Sequence, residues 1–380
     1  MATAPVPLKD RRGRVYTPAL GVRMKRLLAV IFACVALLGA NSVYLAAITA
    51  LEWSSGQILQ TPFYLLMFAL HLVLGVGLTL PFVVFAGIHL VTAWKRPNKS
   101  AVRYGIALLI ASIVIITTGL LLIRLEGFAI NDPRLRSAGY WLHVLAPLVA
   151  IGLYVRHRLA GPRIQWRAAK VWGVSVAAFT VAMAMLHSHD PREYTAKASK
   201  EGARYFFPSD AVTANGKFIP ASTLMMDDYC LKCHQDAYDS WFHSSHHFSS
   251  FNNPAYLASV KETREFSEKR DGSPRAARWC AGCHDPVPLF SGEFDEPRFD
   301  FKSASAQAGI TCTSCHSITS LHSTRGNGDY TIEEPMHYPF ASNANPLLQW
   351  VNNTLVKAKP ELHKKTFLKP VHLTSEFCSA

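Results

Sequence analysis

Charged residues are scarce in this chain of 380 residues. Asp, Glu, Lys and Arg make up 17% of it, against roughly 25% in ordinary soluble domains, while hydrophobic residues reach 49%. This shortage excludes both a single plain soluble domain and a disordered chain. The net charge of +13 does not indicate nucleic-acid binding either, because residues 1–189 carry +15 and residues 190–380 carry −2. The basic half is also the apolar half, which favours a membrane part joined to a water-soluble part.

Cysteine is almost absent from the first half, where only Cys34 occurs. Six of the remaining seven form three C-x-x-C pairs, and this regular spacing differs from the scattered cysteines of a disulfide scaffold. Those seven are Cys230, Cys233, Cys280, Cys283, Cys312, Cys315 and Cys378.

Residues 1–189 contain five long stretches without a charged residue. A membrane span needs roughly 20 mostly apolar residues, and each stretch is long enough, although the second must tilt, kink at Pro81 or project beyond the bilayer. The sequence therefore predicts a bundle of five transmembrane helices that contacts the lipid bilayer. The stretches are Leu27–Leu51, Pro62–Trp94, Tyr104–Ile123, Ser137–Val155 and Val171–Ser188.

The loop charges predict the orientation of this bundle. Sixteen of its 19 basic residues lie on the N-terminal side, and only Arg124, Arg134 and Arg136 lie on the other. Positive charge marks the cytoplasmic side, so the N-terminus is expected in the cytoplasm of a bacterium. An odd number of spans then places everything after Ser188 in the periplasm, anchored to the inner membrane.

The second half lacks long apolar stretches, strong strand alternation and any long amphipathic helix. Residues 190–228 are expected to be a polar connector, and residues 229–380 a domain of short helices and irregular loops. The predicted fold class is therefore mostly α throughout. A domain of this kind would struggle to build a core from its side chains alone, so a bound group is expected to fill it.

Each C-x-x-C pair is followed directly by histidine, at Cys230–His234, Cys280–His284 and Cys312–His316. Two thiols one helical turn apart can add to the two vinyl groups of a porphyrin, and the next residue then places an imidazole on the iron. The pattern predicts three covalently bound c haems. A zinc-binding or redox-sensing domain is the alternative, because C-x-x-C pairs also build zinc sites. Cys378 starts what resembles a fourth motif, so truncation before a fourth haem site is expected.

The first motif is followed by further residues of a recognisable pattern. Cys230–His234, Tyr238 and Trp241–His246 resemble the C-x-x-C-H…Y-x-x-W-x-x-S-x-H arrangement of multihaem c-type cytochromes related to the tetrahaem electron acceptor of hydroxylamine oxidoreductase. Residues 309–312, Gly-Ile-Thr-Cys, are similar to a lead-in of the same group. The resemblance implies that His246 ligates a neighbouring haem, and His247 could substitute. Other spare histidines that could supply the second axial ligands are His243, His322, His337, His363 and His372.

Four histidines lie inside the predicted spans, where ionisable residues are candidates for function. His71 and His89 are 18 residues apart in the second span, and His143 and His157 are 14 apart in the fourth, so each pair lies near one helix face. His71 would meet His143, and His89 would meet His157, to hold two b haems. This arrangement resembles the four-helix cytochrome b subunits of membrane dehydrogenases and hydrogenases, or the quinol-oxidising cytochrome b. The rises along the two helices, about 27 and 21 Å, match only with tilt.

The predicted function is electron transfer between the membrane quinone pool and a periplasmic redox protein, through b haems and then c haems. Electron flow could also run toward quinone. An electron carrier or quinol-oxidising subunit is expected rather than a stand-alone enzyme. The alternative is a multihaem oxidoreductase that acts on a small nitrogen or sulfur compound at an open haem iron.

Overall fold

A computed structural model describes residues 8–9, 15–16, 20–124, 129–161, 166–190 and 192–379. The chain divides into two compact units, one of residues 1–188 with 353–359, the other of residues 189–352 with 360–380. The orientation predicted from charge also rests on five residues that lie outside the described ones, namely Arg11, Arg12, Arg14, Glu126 and Arg163.

The first unit contains five helices that are long and apolar enough to cross a membrane, counted over the described residues. This confirms the five predicted spans and the mostly α fold class. Polar caps and prolines set where two of them begin: Thr61 accepts a hydrogen bond from the Tyr64 backbone before one helix, and Asp132 caps another ahead of Pro133. The helices are α1 Val22–Ser55, α2 Pro62–Ala93, α3 Lys99–Leu122, α4 Pro133–Ala160 and α5 Trp166–His187.

Helix packing in this unit is selective. Helix α3 packs mainly on α4, and α1 packs on both α2 and α5. Among the described residues, α2 and α4 make very few close backbone contacts. Before α1, strands β1 (Leu8–Lys9) and β2 (Val15–Tyr16) pair antiparallel.

From residue 190 onward the chain forms short helices with little strand, as predicted. The α-helices are α6 Arg192–Thr195, α7 Ala221–Leu224, α8 Asp227–Leu231, α9 Gln235–Phe242, α10 Pro254–Asp271, α11 Arg278–His284, α12 Pro286–Ser291, α13 Cys312–His316, α14 Pro346–Ala358, α15 Glu361–Phe367 and α16 Ser375–Ser379. Turns of 3₁₀ helix cover Gly202–Phe206, Pro274–Ala277, Glu293–Asp295 and Pro370–Leu373. Three strands, β3 (Val212–Thr213), β4 (Ile318–Leu321) and β5 (Tyr330–Ile332), form a small sheet in which β5 is central, parallel to β3 and antiparallel to β4.

Helix α10 is a difference from the sequence-based expectation, since no long amphipathic helix was predicted here. Its 18 residues are bounded by clear signals, because Asn253 caps the first turn, Pro254 occupies the first position and Gly272 ends the helix at φ 68°. Apolar side chains are sparse along α10, so its hydrophobic period is weak.

A side-chain core also exists in the second unit. Phe206, Phe290 and Phe294 are fully buried and belong to one cluster with Ile219 and Leu224. Three of these five residues come from the segment predicted to be a connector, which therefore packs as part of this unit. Aromatic side chains supply the apolar area that the short helices lack.

Candidate functional site

The three C-x-x-C-H motifs each form about one turn of helix. In the first motif the backbone N–H groups of Cys233 and His234 donate to the carbonyl of Cys230, so both thiols and the imidazole lie on a single turn. The second and third motifs are the last five residues of α11 and the whole of α13. No disulfide bond joins the cysteines of the described residues, so none of the three pairs is used up in a disulfide.

The first and third motifs lie side by side. The thiols of Cys230 and Cys312 lie close enough to interact, and Asp227 accepts a hydrogen bond from the Cys312 backbone N–H at 2.7 Å. Thr311 caps α13 by accepting from the Ser314 backbone N–H at 2.9 Å. Asp227 was not found by sequence reasoning, because only the fold brings it to the third motif.

Two imidazoles that bind one iron from opposite sides have a characteristic spacing. A metal–imidazole bond is about 2 Å and the ring nitrogen lies about 1 Å from the ring centre, so the two ring centroids are about 6 Å apart. The rings of His234 and His363 are 6.1 Å apart and within 7° of parallel. Nδ1 of His363 is buried and has no hydrogen-bond partner. These residues therefore fit a haem iron with two histidine ligands.

A second pair of histidines meets at the third motif. The ring centroids of His316 and His372 are 5.0 Å apart, and Nδ1 of His316 lies 2.7 Å from the carbonyl of Phe367. Both ring nitrogens of His372 are buried. Burial lowers the pKa of His316, His363 and His372, which favours the neutral imidazole that metals bind.

The second motif has different surroundings. Nδ1 of His284 lies 2.8 Å from the carbonyl of Ser249, and the ring stacks on Tyr256 with centroids 4.4 Å apart. The hydroxyls of Tyr256 and Ser250 both donate to the carboxylate of Asp285. Desolvation raises the pKa of Asp285 to about 7. Among the described residues, the ring contact of His284 is with this tyrosine rather than with a second histidine.

The two segments that carry the family resemblance pack directly on each other. The Trp241 indole donates to the carbonyl of Ile310 at 2.7 Å, and the Ile310 backbone N–H donates to the carbonyl of His246 at 2.9 Å. Gly309 lies between them at φ 66°, where a Cβ would collide with the carbonyls of His246 and His247. This contact explains physically why the lead-in to the third motif has glycine at that position.

The remaining predicted ligands occupy varied positions. The ring of His246 is exposed, whereas that of His247 packs against Trp241 at 4.7 Å. His322 has both nitrogens near protein groups, at 3.1 Å from Asp329 and 2.9 Å from Thr331. Their ligation stays a prediction.

His337 and Cys378 are the last candidates of the second unit. His337 has a buried Nε2 without a partner, and burial lowers its pKa to about 4. Cys378 lies near Cys315. A role for either residue in haem binding also stays a prediction.

The membrane histidines meet in the predicted pairs. The ring centroids of His71 and His143 are 6.1 Å apart, and those of His89 and His157 are 6.3 Å apart. Both values match the spacing of two imidazoles on one iron, and Nδ1 of His71 and of His89 is buried with no hydrogen-bond partner in the described part of the chain. The difference of about 6 Å between the two helical rises must therefore be absorbed by helix tilt and side-chain reach.

Helix α3 fixes the two histidines of α4. Nδ1 of His143 lies 3.1 Å from the carbonyl of Ile115, and Nδ1 of His157 lies 2.9 Å from that of Ala101. These contacts leave Nε2 of both rings for a metal. Gly119 and Gly105 allow the rings to approach, since a Cβ there would lie 2.9 Å from His143 and 3.2 Å from His157. Sequence reasoning missed both glycines.

Space beside α2 also fits a large flat group. A Cβ at Gly75, Gly77 or Gly87 would meet no atom within 4 Å. Helices α2 and α4 approach each other through their histidines rather than through close backbone packing. Within the described part of the chain, no cluster of three or more His, Cys, Asp or Glu residues is arranged to hold a metal ion.

Comparison with known proteins identifies one part of the chain. Residues 229–317 match the family model of cytochrome c554 and c-prime. No curated protein and no solved structure matches the chain significantly. The family match supports a multihaem c-type cytochrome domain that carries covalent haem c and transfers electrons, and it favours haem over the zinc alternative. Five apolar helices are compatible with a membrane protein.

Proposed function

We propose that this protein transfers electrons between the membrane quinone pool and a periplasmic redox protein. In this proposal the b haems lie between α2 and α4, and the c haems lie in the second unit. The chain is anchored in the bacterial inner membrane with its N-terminus in the cytoplasm, which the 16 basic residues on the N-terminal side support.

The observation that carries the proposal is a repeated geometry. His71 and His143, and likewise His89 and His157, oppose each other at 6.1 and 6.3 Å in the apolar unit. The rings of His234 and His363 have the same spacing, 6.1 Å, and His234 belongs to the first haem-attachment motif. One chain thus offers sites for haem both in the membrane and outside it.

In such an electron path, some residues would orient the haem ligands and others would hold the attachment motifs together. Bound haem supplies an iron that gains and loses one electron at a time. His143 and His157 are held by carbonyls of α3, which fixes the ring orientation and raises the basicity of Nε2. Asp227 holds the third motif against the first, so the two attachment sites stay at a fixed short separation.

Anaerobic reduction by a quinol tests this function. Duroquinol should reduce the c haems of the full-length wild-type protein in membranes. His71→Ala should abolish that reduction, because the b-haem site formed by His71 and His143 (the outer site; His89 and His157 form the inner site) loses a ligand. Dithionite should still reduce the c haems of the variant, which shows that the second unit is intact. His189→Ala is the matched control, since the ring of His189 stacks on Tyr194 and His189 belongs to neither membrane histidine pair. Equal c-haem reduction in His71→Ala and wild type would refute the proposal.

The second motif favours another function beside electron transfer. Because the described ring contact of His284 is with Tyr256, an iron at this motif would have an open position where a small nitrogen or sulfur compound could react. Electron paramagnetic resonance of the oxidised protein distinguishes the two functions. A high-spin ferric signal supports the enzyme, whereas purely low-spin haem supports the carrier.

A further inference from the structure

A hydrogen-bonded cluster of polar side chains joins α1, α2 and α5 at the end of the bundle where α5 finishes. The Tyr44 hydroxyl lies 2.7 Å from Nδ1 of His187, and the Thr61 hydroxyl lies 3.4 Å from the same nitrogen. Tyr44 is only 2% exposed. Neither Tyr44 nor His187 belongs to the histidine pairs that fit haem, and polar groups in a membrane interior are candidates for binding.

Two acceptors on neighbouring residues lack partners among the described residues. Oδ1 of Asn41, one helical turn before Tyr44, and Oε1 of Gln60, next to Thr61 in the chain, are both buried and accept no hydrogen bond there. The amide of Asn41 is oriented, because its Nδ2 donates to the carbonyl of Met67 at 3.0 Å. Asn41 precedes Tyr44 by three residues on the same helix face. Each buried acceptor without a donor needs a physical explanation, and a ligand that carries hydroxyl groups provides one.

The surroundings of the pair suit a flat ring. The ring of Tyr44 lies 5.8 Å from that of Phe63 and 6.4 Å from that of Tyr64. Glu52 stands close enough to His187 to interact electrostatically, and it accepts from the Leu59 backbone N–H at 2.9 Å. Aromatic faces, unfilled acceptors and a carboxylate together match an aromatic diol whose oxidation releases protons.

We propose that Asn41, Tyr44, Gln60 and His187 bind the head group of a quinol. This proposal rests on the function proposed above and names the site where quinol would be oxidised. The two quinol O–H bonds break, one proton passes to His187 and the other to Glu52, and both protons then leave to water. A haem held by His71 and His143 would take the two electrons one at a time, passing the first onward to another haem before it accepts the second, and quinone would be the product.

The position of the cluster supports this electron path. His71 lies eight residues beyond Phe63 along α2, which is a rise of about 12 Å. The cluster also lies at the end of α5, from which the chain continues toward the haem motifs. Quinol protons would therefore be released on the side of the membrane where the orientation predicted from charge places the c haems.

Binding measured apart from turnover tests the site. Heptyl-hydroxyquinoline N-oxide, a quinol analogue whose fluorescence is quenched on binding, can be titrated into the oxidised full-length protein. Tyr44→Phe and Asn41→Leu should each weaken its binding about tenfold, the effect of one lost buried hydrogen bond. Tyr154→Phe is the matched control, because Tyr154 contacts Phe32 through its ring and lies outside the cluster.

Duroquinol kinetics complete the test. KM should rise in Tyr44→Phe and Asn41→Leu, while the dithionite-reduced spectra of both haem types stay unchanged and report correct folding. If wild type is reduced by duroquinol but neither variant differs from Tyr154→Phe in binding or KM, the site is wrong and the electron-transfer function stands. If wild type is not reduced by duroquinol, the function fails and this site fails with it.

Discussion

Replacement of Gly119 by alanine tests whether α3 sets the outer b-haem site. A Cβ at this position would lie 2.9 Å from Cε1 of His143 and 3.4 Å from its Nδ1. Carbon atoms in contact prefer about 3.5 Å or more, so the ring must move by roughly 0.6 Å. A metal site tolerates errors of only about 0.2 Å in its ligand distances. Gly119→Ala should therefore displace His143 from the iron.

The expected energies favour a folded protein without this haem. Alanine gains about 1 kcal/mol over glycine inside a helix, whereas overpacking costs about 1–3 kcal/mol. The net change in the free energy of unfolding is small enough for the bundle to persist. Gly105→Ala should act more weakly on the inner site, because its Cβ would lie 3.2 Å from His157.

Pyridine haemochrome spectra measure the result. The b-haem content of Gly119→Ala should fall from about two per chain to about one, while the c-haem content stays constant. Gly173→Ala is the control, since a Cβ there meets no atom within 4 Å, and it should keep both b haems. Full b-haem content in Gly119→Ala, with the wild-type spectrum, would show that His143 is not held against Gly119 as a ligand.

Three further substitutions probe the second unit. His363→Ala should convert the haem of the first motif from low spin to high spin in its absorption spectrum, whereas His322→Ala, which removes contacts with Asp329 and Thr331, should leave that haem low spin. A first-motif haem that stays low spin in His363→Ala would exclude His363 as a ligand. Gly309→Ala should lower the free energy of unfolding by about 1–3 kcal/mol, because the residue at this position has a positive φ. In thermal unfolding, an unchanged midpoint would contradict the close approach of Gly309 to the carbonyls of His246 and His247. Asp227→Ala should lower the free energy of unfolding by about 1–3 kcal/mol, since the backbone N–H of Cys312 loses its acceptor. An unchanged free energy of unfolding would show that this hydrogen bond contributes little to stability.

The extent to which sequence predicts this fold differs between the two units. Uncharged stretches locate the five membrane helices because a bilayer imposes both length and apolarity on them. Several helices begin before their stretches, as in α1, which begins at Val22 rather than Leu27. In the second unit α10 was not predicted, because apolar residues are sparse along this helix and their period is weak. The packing of Phe206 and Ile219 escaped as well, since tertiary contacts decide which isolated apolar residues are buried.

The candidate sites show the same division. C-x-x-C-H motifs are local, so their residues could be named from sequence, and helical spacing was sufficient to pair His71 with His143. The sequence could not show which spare histidine faces each haem-motif histidine. His363 lies opposite His234 because of the way α15 packs, and no local pattern distinguishes His363 from the other spare histidines. Gly119, Asp227 and Tyr256 carry no local pattern that distinguishes them from ordinary residues.

Both kinds of haem must be present in one chain if electrons are to pass from the membrane to the c haems. The ratio of haem b to haem c in the purified full-length protein measures this directly. Two membrane histidine pairs and three attachment motifs predict two b haems to three c haems. A spectrum with haem c and no haem b would contradict the proposed electron path, because the membrane unit would then carry no electrons.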